Sequence, residues 1–151
     1  MTGDGGPGRD GGEPAGGNGL QPHPEGGAYR RVWTASERVE SAREARPAAT
    51  AIQYVLAPGE ESRWHRVASE ELWLWQGGGP VVLRLATGPG GEPSAPAVTL
   101  GPDPRLGHRP WAAVPAGHWQ TARCVGDRPA DVTCVVAPGF SWEDFTVLPD
   151  R

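Results

Sequence analysis

The chain contains no lysine: its 14 basic side chains are all arginines. Chemistry that runs through a lysine Schiff base is therefore excluded. Cysteine is scarce too, and the two present, Cys124 and Cys134, flank the stretch VGDRPAD, which reads as a hairpin loop. If that turn centres on residue 129, the two thiols face each other across paired strands. A disulfide is one outcome, but the sequence carries no secretory signal, and two reduced, buried thiols are the expectation. No apolar run approaches the ~20 residues that cross a bilayer. The arginines are scattered among 18 acidic residues for a net charge of −4, which leaves no basic stripe for a nucleic-acid backbone. The expected partner is a small molecule rather than nucleic acid or membrane, and the expected location is cytoplasmic.

Large apolar side chains are missing altogether from residues 2–19, a glycine-dominated stretch. Such a segment cannot bury enough surface to offset the entropy of ordering it, so residues 1–19 read as a disordered tail. It has neither the apolar centre of a signal peptide nor the arginine- and serine-rich pattern of a transit peptide. Residues 20–151 are then one domain, long enough for a real core.

Helical periodicity is nearly absent. What recurs is short apolar or alternating segments cut by Gly and Pro, the pattern of an all-β sandwich or barrel. Strands are expected near 28–34, 49–57, 62–67, 71–76, 80–86, 96–100, 111–114, 118–124 and 131–137. In the run 80–86, Val81, Leu83 and Leu85 share one face, while Val82 and Arg84 share the other. The breakers between them include APGEE, QGGGP, TGPGGEPS and LGPDPRLGHRP. About nine strands separated in this way suit a closed jelly roll with little helix. Residues 36–47 read as a polar loop or a short helical turn.

Four stretches carry a family resemblance: QPHPEGGAYRRVW (21–33), WHRVASEELWLWQGG (64–78), VPAGHWQTARC (114–124) and VAPGFSWEDF (136–145). In order and spacing they resemble the Cupin_5 (DUF985) family of small cupins. The resemblance implies a double-stranded β-helix, the cupin jelly-roll barrel, with a ligand pocket at its mouth and a homodimeric assembly. It implies little about the reaction. The general cupin pattern G-x5-H-x-H-x3-E-x6-G falls on Gly59, His65, Val67, Glu71 and Gly78, and P-x-G-x2-H falls on Pro115, Gly117 and Gln120. Of the four usual metal ligands, His65 and Glu71 remain, while Val67 and Gln120 replace two imidazoles.

Strand alternation points His65, Glu71, Trp73 and Trp75 into the barrel and Leu72 and Leu74 outward. His118 shares a face with Gln120 if the strand phase runs through it. The resulting candidates are His65, Glu71, His118 and Tyr54 as acid–base groups, and Trp73, Trp75, Gln120 and Arg84 as substrate contacts. His65, oriented by Glu71, would act as base, with His118 or Tyr54, the latter at the pocket rim, as acid. The HPEGG run (23–27) is assigned a backbone role, a tight lead-in to the first strand. The candidate functions are an isomerase, epimerase, lyase or cyclase of a polar, sugar-like or carbonyl-containing metabolite; a metal-dependent oxygenase or lyase; or a non-catalytic binding module. No cofactor is expected. A divalent metal, if held, would use His65, Glu71 and His118.

Overall fold

A computed structural model describes residues 19–41, 44–88 and 93–149. The expected tail, apart from Gly19, lies outside the described residues. Thirteen strands appear among them: β1 (Gln21–Pro22), β2 (Ala28–Thr34), β3 (Arg38–Glu40), β4 (Ala45–Pro47), β5 (Thr50–Leu56), β6 (His65–Arg66), β7 (Glu70–Gly78), β8 (Val81–Ala86), β9 (Val98–Leu100), β10 (Trp111–Val114), β11 (Trp119–Cys124), β12 (Ala130–Ala137) and β13 (Thr146–Val147). The only helical segments among the described residues are two single 3₁₀ turns, Pro104–Leu106 and Trp142–Asp144.

The strands form a six-stranded sheet in the order β1-β2-β5-β12-β7-β10 and a five-stranded sheet in the order β13-β6-β11-β8-β9, with β3 and β4 as a separate hairpin. Neighbours in both sheets run antiparallel. The result is the jelly-roll barrel expected from the sequence. Its core gathers Tyr54, Leu56, Trp73, Val81, Leu83, Leu100, Val114, Ala122, Cys124, Val132 and Cys134, drawn from the inward positions of both sheets. Burial of these residues supplies the main drive for closure, since each fully buried large apolar side chain contributes roughly 1.5–3 kcal/mol.

Four departures from the sequence expectation have physical causes. The polar stretch 36–47 folds as the β3–β4 hairpin, with Ser41 closing its turn through hydrogen bonds to the backbone of Glu44. The expected strand 62–67 shrinks to His65–Arg66, because Ser62 is tied to Ala122 by its backbone N–H and its side chain before the ladder begins. The short strands β1 and β13 hold too few residues to show alternation. Cys124 and Cys134 do not face each other, because β11 and β12 belong to different sheets and residues 125–129 cross between them. Both thiols are free and buried.

Directly paired residues share a face of a sheet. One outward row across the six-stranded sheet is Trp33–Ala51–Val135–Leu72–Ala113. Beside it Leu74 pairs with Trp111. Trp33 is 51% exposed, Leu72 36% and Trp111 60%, so this apolar face stands open in the single chain.

Candidate functional site

The site is assembled where the HPEGG turn presses against the inner wall of the barrel. His23 and Gly27 close the turn by backbone hydrogen bonds (His23 N to Gly27 O, Gly26 N to His23 O, both 2.9 Å). Gly27 has φ of +76°, and a Cβ there would lie 2.8 Å from the Tyr54 hydroxyl. Only glycine permits both the left-handed backbone and this close approach. The hydroxyl of Tyr54 donates to Gly26 O at 2.6 Å, and Arg63 N donates to Glu25 O at 2.7 Å. So pinned, the turn delivers the Glu25 side chain into the barrel, where the residue is 5% exposed.

There Glu25 Oε2 lies 2.6 Å from Nε2 of His65. The other ring nitrogen, Nδ1, lies 2.8 Å from Arg63 O. A carbonyl oxygen can only accept, so Nδ1 carries a proton, and the contact at Nε2 is an ion-pair approach off the line of a hydrogen bond. Burial alone would push the Glu25 carboxyl up, but the charge and close approach of His65, aided by His23 and Tyr54, hold it below the ordinary range. Burial alone would lower His65, but Glu25, then Glu71 and the Arg63 carbonyl, raise it. The pair is therefore an imidazolium–carboxylate ion pair. His23, with Nδ1 3.7 Å from Glu25 Oε1, is pushed down by burial, with Glu25 opposing.

Glu71, on β7, stands in the same interior but is held by other partners. Gln120 Nε2 donates to its Oε1 at 2.7 Å, and Gln120 Oε1 accepts from Trp73 Nε1 at 2.9 Å, which fixes the orientation of the amide. The Cys134 thiol also acts on it, favouring the charged form. Burial lifts the Glu71 carboxyl most; His65 opposes this and Glu25 adds to it, leaving it at about 7. Burial also pushes the Cys134 thiol up, with Glu71 reinforcing the effect, so it remains a neutral donor.

His65, Glu71, Trp73 and Gln120 thus converge as alternation requires, but the pairing differs from the expected one. Glu25, not Glu71, holds His65, and HPEGG supplies side-chain chemistry as well as a turn. The sequence signal for this was the acidic residue inside the motif itself. Tyr54 is not at a rim. It is fully buried, and burial drives its hydroxyl far above the ordinary value, so it acts as a fixed tether for the turn. His118 lies outside β11, which begins at Trp119; its backbone N–H closes a turn to Pro115 O, and it is not among the groups acting on His65 or Glu71. Arg84 sits on the outer face of β8, paired in register with Thr121 and 4.0 Å from Glu61. Its neighbours Val81 and Leu83 take the inward positions. Trp75 is half-buried, donates to Gly79 O at 3.0 Å and packs on the core.

The conditional metal set does not fit. Both nitrogens of His65 are engaged, Val67 has no donor atom, and His118 is elsewhere. Among the described residues no three His, Cys, Asp or Glu side chains are grouped to share an ion.

The C-terminal segment covers this site. Ser141 caps the Trp142–Asp144 turn, accepting from Glu143 N. The Phe145 ring lies 5.9 Å from that of His65, and His23 contacts Tyr29, Trp142 and Phe145 with centroids 4.7–5.6 Å apart. On the outer side of the segment is a cavity of about 310 Å³ lined by Arg66, Val67, Ala68, Gly117, Glu143, Asp144 and Thr146.

Residues 17–148 match the family model described as Cupin superfamily (DUF985), Cupin_5. The chain belongs to this family. No curated protein matches it. Among solved structures, this Cupin_5 chain is similar to a protein from Shewanella oneidensis, at 30% identity and a TM-score of 0.75, covering 85% of this chain and 78% of that one. A hypothetical protein from Leishmania major has 28% identity and a TM-score of 0.75, covering 85% and 81%. Oxalate decarboxylase from Bacillus subtilis, at 17% identity and a TM-score of 0.60 over 84% of this chain and 29% of that one, shares the fold. Among the described residues no helix is long and apolar enough to cross a membrane.

Proposed function

We propose that this Cupin_5 protein is an acid–base enzyme acting on a small polar, carbonyl-containing metabolite, as an isomerase or epimerase or a related lyase or cyclase. The observation that carries this reading is the division of labour between Glu71 and His65. Both ring nitrogens of His65 are committed, so it cannot itself take a substrate proton. Glu71, held at about 7, is the group poised for transfer near neutrality. In this reading Glu71 as carboxylate removes a proton from the carbon next to a carbonyl and returns it to the substrate in the second half-reaction. The His65 imidazolium, neutralised at rest by Glu25, lies beside the negative charge that develops on the oxygen.

The test needs no prior substrate. Aldoses, ketoses and keto acids would be incubated with the protein in D₂O and followed by proton NMR. The expected result is deuterium at one carbon adjacent to a carbonyl, abolished by Glu71→Gln. Tight binding without exchange would instead favour a binding module. We also propose that the partner across the open apolar face of the six-stranded sheet is a second copy of the chain, and that the protein is cytoplasmic, where its two thiols stay reduced.

A further inference from the structure

The groups read above as reactive are sealed. His65 is 2% exposed, Glu25 5% and Glu71 8%. Yet the cavity of about 310 Å³, within the range of small-molecule sites, is lined by Arg66 and Val67, which follow His65 directly in the chain. What separates the two is one thickness of chain. Asp144 and Thr146 line the cavity, while Phe145 between them turns its ring onto His65. Behind it β13 is only two residues long and pairs with β6 through Thr146–Arg66 and Val147–His65. The segment is fastened at three further points: a buried ion pair of Asp144 with Arg46, the Phe140 N–H on Thr50 Oγ1 at 3.0 Å, and the Leu148 N–H on Trp64 O at 2.9 Å. The Phe145 side chain itself is held only by ring contacts, with His23, His65, Phe140 and Trp142, so its ring can swing without breaking these ties.

We propose that residues 141–147 form a gate, that the cavity is the vestibule in which a small polar molecule first rests, and that displacement of Phe145 admits it to Glu71. The inference rests on the functional reading above for what happens after entry, but not for the movement. Cys134, buried in the same interior and acting on Glu71, is a native reporter of opening.

The experiment measures alkylation of Cys134 by iodoacetamide under native conditions, in a Cys124→Ala background, by peptide mass mapping. Phe145→Ala should raise the rate at least tenfold. A disulfide between Arg66→Cys and Thr146→Cys, whose β-carbons face each other across the β6–β13 pair, should lower it at least tenfold, with recovery on reduction. Ala68→Trp, which fills the vestibule from a position outside residues 141–147, should also lower it. Each variant's urea unfolding curve identifies reactivity that merely follows global unfolding. If the cross-link leaves the Cys134 rate unchanged, or every rate tracks global unfolding, there is no gate. If Ala68→Trp has no effect, the vestibule is not the route. Glu71→Gln should leave gate-dependent labelling in place while abolishing exchange; gate-dependent labelling in a parent protein that exchanges no substrate proton would overturn the enzymatic reading alone.

Discussion

Nε2 of His65 and Oε2 of Glu25 stand 2.6 Å apart, with both residues buried. The contact joins the β6 strand to the HPEGG turn, and it turns a histidine at a cupin ligand position into half of an ion pair. A buried pair of this kind is costly to break from one side, because the partner left behind keeps its charge without compensation.

Glu25→Gln is therefore expected to destabilise the fold by about 3–5 kcal/mol, read from urea denaturation. The same change should drop the His65 titration, followed by NMR of its ring protons, below the ordinary 6.5. An unshifted His65 titration in that variant would mean that Glu25 does not set its charge.

Glu71 gives a pH dependence of definite sign. Its carboxyl is raised from 4.5 to about 7 in the folded protein. Its contribution to stability is thus fully present below pH 4.5, falls as pH rises through about 7, and is gone above it. Glu71→Gln should remove this slope and gain up to about 3 kcal/mol at pH 8 relative to the parent, while the acceptor for Gln120 is kept. Urea midpoints at pH 5 and pH 8 decide it; equal slopes in both proteins would contradict the assignment.

Acid should act through Glu25. A carboxyl held below 4.5 in the fold adds stability that is present above pH 4.5 and lost as pH falls through its lower folded value. His65, raised above 6.5, adds stability present below pH 6.5 and lost as pH climbs through its folded value. In the Glu71→Gln background, stability should peak between these limits, and Glu25→Gln should remove the acid limb. Thermal melts across pH 3–9 check this.

The open outer row predicts the assembly. The double variant Trp33→Glu/Leu72→Glu should be a monomer by light scattering at micromolar concentration while the parent is a dimer, with little change in circular dichroism. A monomeric parent would remove the basis for this proposal.

Removal of residues 1–18 should move the melting temperature by no more than a few degrees. A larger loss would mean that the segment contributes to the folded protein.

Alternation made much of the barrel legible in the sequence. It placed Glu71 and Trp73 inside and Leu72 and Leu74 outside, since period-2 patterning survives in strands of six or more residues; His65, on a strand of two residues, is legible only through the cupin spacing. It failed where strands are too short to alternate or where the chain leaves the strand. His118 stands one residue before β11 begins, so the phase of Gln120 does not reach it. Glu25 escaped because its partner is brought close by tertiary packing, which local spacing does not encode. The glycines of HPEGG explain the turn, but they also drew attention from the side chain the turn delivers.

β7 carries Glu71 and Trp73 on one face and Leu72 and Leu74 on the other, and it is hydrogen-bonded on both sides, to β12 and β10. A slip of one residue along either neighbour would put Leu72 among the polar groups of the interior and expose Glu71 to solvent. The reading frame of this one strand is thus what keeps a carboxylate in a place where water would otherwise return it to an ordinary acid. The irregularity in its ladder, opposite Asp131 and Val132, lies at the far end from Glu71, so the fault in the frame falls where the chemistry does not depend on it.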